Sequence, residues 1–332
     1  MTDTIEIARL HKRYGNRVAL HELDLRVRPG TVFGLIGPNG AGKTTTLRTL
    51  VDIIRPSSGS VRVLGEDPRH GGAELRRRMG YVPGELHLEG RPSGHRMLAF
   101  YARVSGARDS ATTLRTGRDL ADRLGVDLTR PVHTLSKGNK QKVGLIQAFM
   151  HHPELLILDE PTGGLDPLMQ REFLQMVREA KDAGQTVLLS SHVLSEIQQT
   201  ADEVAVLANG RVVADGDVAS LRLGSIRRVR VELATTDAAA ARAALERIPG
   251  LTEVDVHAAD GMLRLSGTVD GAIDPFLKAL ARFEVRDLTV EEPDLEESVL
   301  RLYGVSATPA SARPASARSA SRRSRHDSEG QR

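Results

Sequence analysis

The segment from Gly37 to Thr44 reads GPNGAGKT and fits the pattern G-x-x-x-x-G-K-[ST]. It follows the apolar segment TVFGLI and opens a helical pattern, so its backbone N–H groups and the helix N-terminus can face phosphate oxygens. Lys43 can reach the β- and γ-phosphates of a nucleotide, and the Thr44 hydroxyl can ligate Mg²⁺. We therefore predict a nucleotide site made of Gly37, Pro38, Asn39, Gly40, Ala41, Gly42, Lys43, Thr44 and Thr45.

Two carboxylates close a second apolar strand, LLILDEP, which spans Leu155 to Pro161. Asp159 can hold Mg²⁺ through water, and Glu160 can polarise an attacking water as a general base. A strand that happens to end in an acidic turn is the plainer interpretation. The presence of the phosphate loop upstream favours the chemical one, which predicts nucleotide hydrolysis.

The segment LSKGNKQKV, Leu135 to Val143, places a serine and a glycine before an amphipathic helix. Ser136, the N–H of Gly138 and the helix N-terminus can form another anion-binding surface. Taken alone, an ordinary N-capped helix with solvated lysines explains the same residues equally well. In sequence, the segment lies too close to Asp159 to form a second phosphate loop like Gly37–Thr44. The alternative is therefore that it binds a phosphate held by a second subunit.

Two aromatic side chains, those of His192 and Tyr14, complete the set of candidate site residues. His192 ends the strand TVLLSSH, where a neutral imidazole could hydrogen-bond the γ-phosphate and the attacking water. Tyr14 follows the first strand in a chain with four tyrosines and no tryptophan, and its ring could stack on adenine. Taken alone, His192 is more simply interpreted as a structural histidine, and Tyr14 as an aromatic residue of a surface loop. The other motifs, in this order, favour site roles for both.

The remaining pattern predicts an α/β fold. Strands fill residues 1–35, a helix runs from Lys43 to Ile54, a strand covers Ser57–Gly65, and the pattern is helical from about Ser93 to Met150. Apolar strands and helices then alternate up to a hairpin at Asn209-Gly210, which favours a sheet covered on both faces. A boundary near residues 219–226 precedes a small α+β unit, and a tail follows Gly304.

Composition excludes several classes of protein. The chain has 332 residues, which suits one large domain or two ordinary ones. No stretch approaches eighteen apolar residues, and the N-terminus MTDTIEIARL does not resemble a secretory signal, so a cytoplasmic protein is expected. The absence of cysteine excludes disulfides and thiolate metal sites. Lysine is scarce, seven residues against 39 arginines, and four of the seven lie in GPNGAGKT and LSKGNKQKV.

Charge argues against nucleic acid as a partner. The net charge is +3, but residues 305–332 carry six arginines against one aspartate and one glutamate. The rest of the chain is therefore slightly acidic, so it lacks the excess of basic residues with which proteins bind the phosphate backbone of nucleic acids. The tail is rich in serine, alanine, arginine and proline, which predicts disorder. A solvated tail is the preferred interpretation, and weak attraction to anionic lipid is the alternative.

The ordered set of motifs resembles the ATP-binding subunit of ABC transporters over residues 1 to about 220. The matching features, in order, are Tyr14, GPNGAGKT, LSKGN, LLILDEP, GGLD (Gly163–Asp166) and His192. The resemblance implies a P-loop NTPase nucleotide-binding domain of ABC type, with a helical subdomain at about 93–150 that docks on a permease. LSKGN is similar to the family's signature LSGGQ, with Lys137 and Asn139 substituted, and GGLD is similar to its D-loop.

In that family two nucleotide domains clasp two ATP molecules head to tail. The resemblance therefore implies a homodimer with ATP and Mg²⁺ as cofactors, in which Ser136 and Gly138 contact the ATP of the other subunit and Asp166 crosses the interface. The unit at 226–304 resembles the C-terminal extension of ATPases that serve drug and antibiotic exporters, such as the daunorubicin type. That implies a separate multi-span permease, export of drugs, antibiotics or other hydrophobic compounds, and a peripheral position on the inner face of the membrane.

One departure from the family concerns the segment Tyr81-Val82-Pro83. The family usually has a glutamine next, which touches Mg²⁺ and the attacking water, whereas this chain has Gly84 followed by Glu85. We hypothesise that Glu85 or a water replaces the glutamine, because carboxylate oxygens suit Mg²⁺. The alternative is that this subgroup couples to its permease through other residues.

A soluble ATPase of the same superfamily that acts on ribosomes or DNA is the other class considered. Its translation factors carry two tandem nucleotide domains, and this chain has one. Its DNA-repair and chromosome members carry long coiled-coil or zinc insertions, and this chain has neither long heptads nor cysteines.

Overall fold

The computed structural model describes residues 2–86, 88, 91–106, 109–218, 226–235, 237–245, 248–259 and 261–291. The first strands form an antiparallel sheet in the order β2-β1-β4. Its members are β1 (Ile5–Tyr14), β2 (Arg17–Val27) and β4 (Ser58–Val63). The sequence predicts these strands but not that they separate from the main sheet.

The main sheet has the order β5-β6-β7-β3-β8-β9 and is parallel except for β9. Every residue of β3, β6 and β7 is buried, as expected for a sheet covered on both faces. The carboxyl ends of its parallel strands meet at one edge, where the phosphate loop, Asp159 and His192 follow or end strands. The strands are β3 (Val32–Ile36), β5 (Met79–Val82), β6 (Leu155–Asp159), β7 (Thr186–Ser191), β8 (Glu203–Ala208) and β9 (Arg211–Asp217).

Seven α-helices lie in the described part of residues 2–218. They are α1 (Lys43–Leu50), α2 (Gly72–Arg77), α3 (Gly94–Val104), α4 (Ser110–Arg123), α5 (Lys137–Phe149), α6 (Pro167–Asp182) and α7 (Leu194–Thr200). None of the helices in the described ranges has the length and hydrophobicity to cross a membrane.

Helix α1 ends earlier than the predicted Ile54. Asp52 adopts φ 57°, a left-handed conformation that stops the helix. The N–H groups of Ile53 and Ile54 then both donate to the Arg48 carbonyl, at 2.9 and 3.3 Å. The turn therefore satisfies the Arg48 carbonyl near the end of the helix.

Strand β6 divides the core into two layers. Leu156 and Leu158 pack on one face of the sheet with α5 and α6, and Leu155 and Ile157 pack on the other with α1. All four are fully buried. Truncating one of them to alanine is expected to cost about 2–5 kcal/mol, so the strand that ends in the two carboxylates is firmly anchored.

The C-terminal part has its own α+β arrangement. An antiparallel sheet in the order β11-β12-β10-β13 packs beneath α8 and α9 around a core that includes Val229, Leu263 and Phe276. Residues 219–225 of the predicted boundary, the end of the predicted α+β unit after residue 291 and the tail lie outside the described residues. The elements are β10 (Ile226–Leu233), α8 (Ala238–Leu245), β11 (Leu251–Ala259), β12 (Met262–Asp270), α9 (Asp274–Leu280) and β13 (Val285–Glu291).

Candidate active site

The glycine-rich loop joins β3 to α1 at the carboxyl edge of the main sheet. Gly42 has φ 111°, and a Cβ there would lie 2.6 Å from the Leu20 side chain. A Cβ on Gly37 would lie 2.0 Å from the Leu207 carbonyl oxygen. Glycine is therefore required at both positions, and the loop is pressed against β2 on one side and β8 on the other.

Lys43 connects this loop to the end of β6. Its side chain is 5% exposed, and Nζ donates to the Gly37 carbonyl at 2.6 Å. The same ammonium lies 3.0 Å from Oε1 of Glu160. The contact is an ion pair without hydrogen-bond geometry, since Oε1 has no hydrogen-bond partner among the described residues. The structure thus brings the predicted phosphate-binding cation and the predicted general base together.

Asp159 is fully buried at the end of β6. Its Oδ1 accepts a hydrogen bond from the Ser190 hydroxyl at 2.7 Å, whereas Oδ2 has no hydrogen-bond partner in the described part of the chain. A buried carboxylate oxygen without a donor is costly unless a cation or water satisfies it. The residues therefore fit Mg²⁺, which takes one or two protein oxygens together with phosphates and waters.

Glu160 has φ 48°, a conformation that is uncommon and strained for a non-glycine residue. Its N–H is held by the Ser190 carbonyl at 3.2 Å and the Ser190 hydroxyl at 3.0 Å. Its Oε2 is hydrogen-bonded to Nδ1 of the exposed His192. The carboxylate therefore lies between Lys43 and His192, at the edge where γ-phosphate and water are predicted to meet.

A cavity of about 680 Å³ opens in front of this loop. The half-exposed Tyr14 lines it together with the phosphate loop and Glu160. The cavity also contains residues for which the sequence suggested no site role: Arg17, Val18, Ala19, His21, Asn209 and Gly210.

The hairpin at Asn209-Gly210 supports the phosphate loop. The N–H of Gly210 donates to the Ala41 carbonyl at 2.9 Å, and the Gly210 carbonyl accepts from the N–H of His21 at 2.8 Å. Asn209 and Gly210 both have positive φ, 47° and 72°, as a tight hairpin turn requires. The sequence identifies the turn, but it carries no signal that the turn packs beneath the loop.

The LSKGN and GGLD segments lie outside the lining of this cavity. Ser136 is exposed and caps α5 by accepting from the N–H of Asn139 at 3.3 Å. Asp166 is exposed and caps α6 through the N–H groups of Leu168 and Met169, each at 3.0 Å.

Gly138 allows the LSKGN and GGLD segments to approach each other closely. A Cβ on Gly138 would lie 2.7 Å from the Gly164 carbonyl oxygen. The start of α5 therefore packs directly on the GGLD turn, and neither segment lines the cavity of its own chain.

Gly84 lies beside Asp159, whereas Glu85 does not line the cavity. A Cβ on Gly84 would lie 3.2 Å from Oδ2 of Asp159, so this backbone position borders the unpartnered oxygen. Glu85 is exposed and does not line the cavity. Its predicted approach to the metal would require this loop to move.

Two partly buried titratable groups, Tyr81 and His151, lie on β5 or beside it. Burial, and then the charge of Asp159, raises the pKa of Tyr81. Burial lowers the pKa of His151, whose Nε2 lies 3.2 Å from the Met79 carbonyl oxygen. Both groups are therefore uncharged at neutral pH.

Comparison with known proteins gives concordant results. Residues 20–163 match the model of the ABC transporter family. The chain is 35% identical over 318 residues to the daunorubicin/doxorubicin resistance ATP-binding protein DrrA of Streptomyces peucetius, covering 91% of this chain and 93% of that protein. It is 29% identical to the bacitracin transport ATP-binding protein BcrA of Bacillus licheniformis, covering 92% and 98%.

A solved structure is also similar. The ATP-binding subunit of an ABC transporter superposes with a TM-score of 0.62 at 32% identity, covering 66% of this chain and 92% of that one. The fold of about two thirds of this chain is therefore shared with a protein of known structure.

Proposed function

The chain belongs to the ABC transporter family of ATP-binding proteins, and on that premise we propose that it hydrolyses ATP to power a separate membrane permease. The observation that carries the proposal is the placement of Glu160 between the buried Lys43 ammonium and His192. A loop that binds phosphate and a carboxylate that can accept a proton from water meet there, as hydrolysis requires.

ATP would bind with its triphosphate along the loop N–H groups and Lys43, and with adenine against Tyr14. Thr44 and Asp159 would hold Mg²⁺, which supplies charge neutralisation on the phosphates when bound. In the reaction a water oxygen bonds to the γ-phosphorus, the bond to the β,γ-bridging oxygen breaks, and the water proton passes to Glu160. The products are ADP and phosphate.

His192 would orient these partners. Its Nδ1 is engaged by Glu160, and the exposed ring does not itself line the cavity, so the opposite ring nitrogen would have to turn toward the γ-phosphate when ATP binds. There the ring can hydrogen-bond the γ-phosphate and keep the attacking water in line with the bond that breaks.

A second copy of the chain completes the site in this proposal. Ser136 and Gly138 do not line the cavity of their own chain, so their anion-binding surface would serve the ATP of the partner, with Asp166 at the interface. ATP would then join the two copies, and hydrolysis would remove the bridge. This cycle would move the attached permease, because the ligand favours one of the two dimer states.

The direction of transport rests on the relatives. DrrA and BcrA are named for daunorubicin/doxorubicin resistance and bacitracin transport. We extend this to export of drugs, antibiotics or other hydrophobic compounds through a permease on which 93–150 docks. The chain would lie on the inner face of the membrane. The division into 1–220, 226–304 and the tail 305–332 is part of the proposal.

A pull-down from native membranes tests the transport function. Glu160→Gln would be trapped with Mg-ATP, solubilised gently and analysed for co-purifying proteins, with Lys43→Ala as a bait that cannot be trapped. The proposal expects a multi-span membrane protein. Ribosomes or DNA without a membrane partner would overturn it.

A further inference from the structure

A lysine lies behind the tyrosine of the cavity. The Lys12 Nζ is 4.9 Å from the centroid of the Tyr14 ring, within the range of a cation–π interaction. The two residues are two apart on β1, where the pairing with β2 is irregular, and the ammonium lies over the ring. The ring is therefore held on one face by an ammonium group of its own strand.

The position of this ammonium is fixed by a second contact. Lys12 Nζ donates to the Arg55 carbonyl oxygen at 2.7 Å. The segment after α1 that carries this carbonyl is itself tied to β1. The N–H of Ser57 donates to the His11 carbonyl at 2.8 Å, and the N–H of Arg13 donates to the Ser57 hydroxyl at 3.1 Å. The cation cannot leave the ring without breaking the bond to Arg55.

The choice of lysine is notable in this sequence. Only seven lysines occur against 39 arginines, and Lys12 is outside the two motifs that hold four of the seven. A compact ammonium with three donors can bond a carbonyl and face a ring at once, whereas a planar guanidinium would stack along the ring instead. The residue type thus fits the two contacts that it makes.

Tyr14 also lines the cavity, whereas Lys12 is not among the residues that line it. Tyr14 is 47% exposed and lines the same 680 Å³ space as the phosphate loop. A cation on one face draws π-electron density toward itself, which strengthens attraction between the opposite face and an electron-rich purine. A ring that is already oriented also loses less conformational entropy when a base stacks on it.

We propose that Lys12 is a positioning residue for the nucleobase: it fixes and polarises the Tyr14 ring so that the cavity selects an electron-rich purine. The proposal rests on the proposed binding of ATP in this cavity. Lys12 contributes to affinity through Tyr14 alone, and it has no contact with the triphosphate.

The test compares ATP with inorganic tripolyphosphate, which has no base. Lys12→Met is expected to weaken ATP binding by about 3- to 10-fold, the size of a partly desolvated cation–π contact, and to raise the KM rather than lower kcat. Tripolyphosphate binding should stay at the wild-type value. In a Tyr14→Leu background, adding Lys12→Met should cause no further loss.

Lys12→Arg keeps the charge and should recover part of the affinity, and it also serves if Lys12→Met folds poorly. Lys278→Met, which removes an exposed lysine paired with Asp274 in the C-terminal part, is the matched control. The proposal would be overturned if Lys12→Met weakened tripolyphosphate binding as much as ATP binding. It would also be overturned if Lys12→Met caused its full loss of ATP affinity in the Tyr14→Leu background. If the wild type bound neither ATP nor tripolyphosphate, the proposed function itself would fail. That result differs from failure of the Lys12 proposal, in which the wild type binds both compounds.

Discussion

The Lys43 ammonium lies 3.0 Å from Oε1 of Glu160 while it donates to the Gly37 carbonyl at 2.6 Å. Lys43 is buried and Glu160 is 22% exposed, so the pair is partly shielded from water. A γ-phosphate that enters the cavity competes with the carboxylate for the same ammonium. We therefore expect nucleotide binding to release Glu160 at the moment when a water molecule needs a base.

Completion of the site by a second copy can be tested by mixing inactive chains. Lys43→Ala removes the phosphate-binding cation. Ser136→Asp keeps an oxygen that can cap α5 but places a negative charge where a phosphate would lie. In a mixed dimer one site combines both defects, and the other combines two intact halves. Each variant alone should be inactive, and an equal mixture should recover about a quarter of the wild-type ATPase rate.

Ser136→Asn is the control for this experiment, because it keeps the cap without the charge and should retain activity. Size-exclusion chromatography with ATP would confirm that dimers form. A mixture as inactive as its components would show that Ser136 acts on the ATP of its own chain.

The main elements of the site follow from sequence because local pattern and parallel topology act together. Lys43, Asp159 and His192 each follow or end a buried strand, and the carboxyl ends of parallel strands share one edge of a sheet. The α/β fold and the family are confirmed. The strand order, with β3 between β7 and β8, is set by long-range packing that no local pattern encodes.

Other features could not be obtained from the sequence. Asn209-Gly210 reads as a hairpin wherever it packs, so its bonds beneath the phosphate loop are visible only in the structure. The φ of 48° at Glu160 likewise depends on Ser190, a residue of a neighbouring strand. Residue types specify the turn, and tertiary contacts decide what the turn supports.

The replacement of the usual glutamine gives a second prediction. If Glu85 moves to the metal site, Glu85→Ala should lower kcat by about tenfold or more, in the range found for groups that support a metal. Gly84→Ala should cost less, because its Cβ needs only a small shift at 3.2 Å from Asp159 Oδ2. Steady-state ATPase rates at several Mg²⁺ concentrations would measure both.

Glu85→Gln keeps the size and one oxygen of the side chain, and it should lie between wild type and Glu85→Ala. Equal effects of Glu85→Ala and Gly84→Ala would contradict this prediction, and would leave water or other residues in the place of the glutamine.

The partly buried His151 predicts a pH dependence of stability. Its pKa is lowered below 6.5 by burial, so below that pH the unfolded chain binds a proton that the folded chain does not. Stability should therefore fall as the pH drops from 6.5 toward the lowered pKa. His151→Gln keeps a donor for the Met79 carbonyl but does not titrate. Its unfolding temperature should decline less than that of the wild type between pH 7.5 and 5.5.

The exposed His95 offers the comparison. His95→Gln makes the same change of side chain at an exposed position and controls for the effect of the substitution itself. Parallel profiles for wild type and His151→Gln would show that His151 does not contribute.

The most direct measurement is the single-turnover ATPase rate of Glu160→Gln, alongside Glu74→Gln, an exposed glutamate on α2. Glutamine keeps the size of the side chain but cannot take the proton of water. We expect ATP binding to persist, the rate to fall by about 10²- to 10⁴-fold, and the variant to dimerise with ATP, while Glu74→Gln behaves as the wild type. Near-normal hydrolysis by Glu160→Gln would contradict the assignment of Glu160 as the general base.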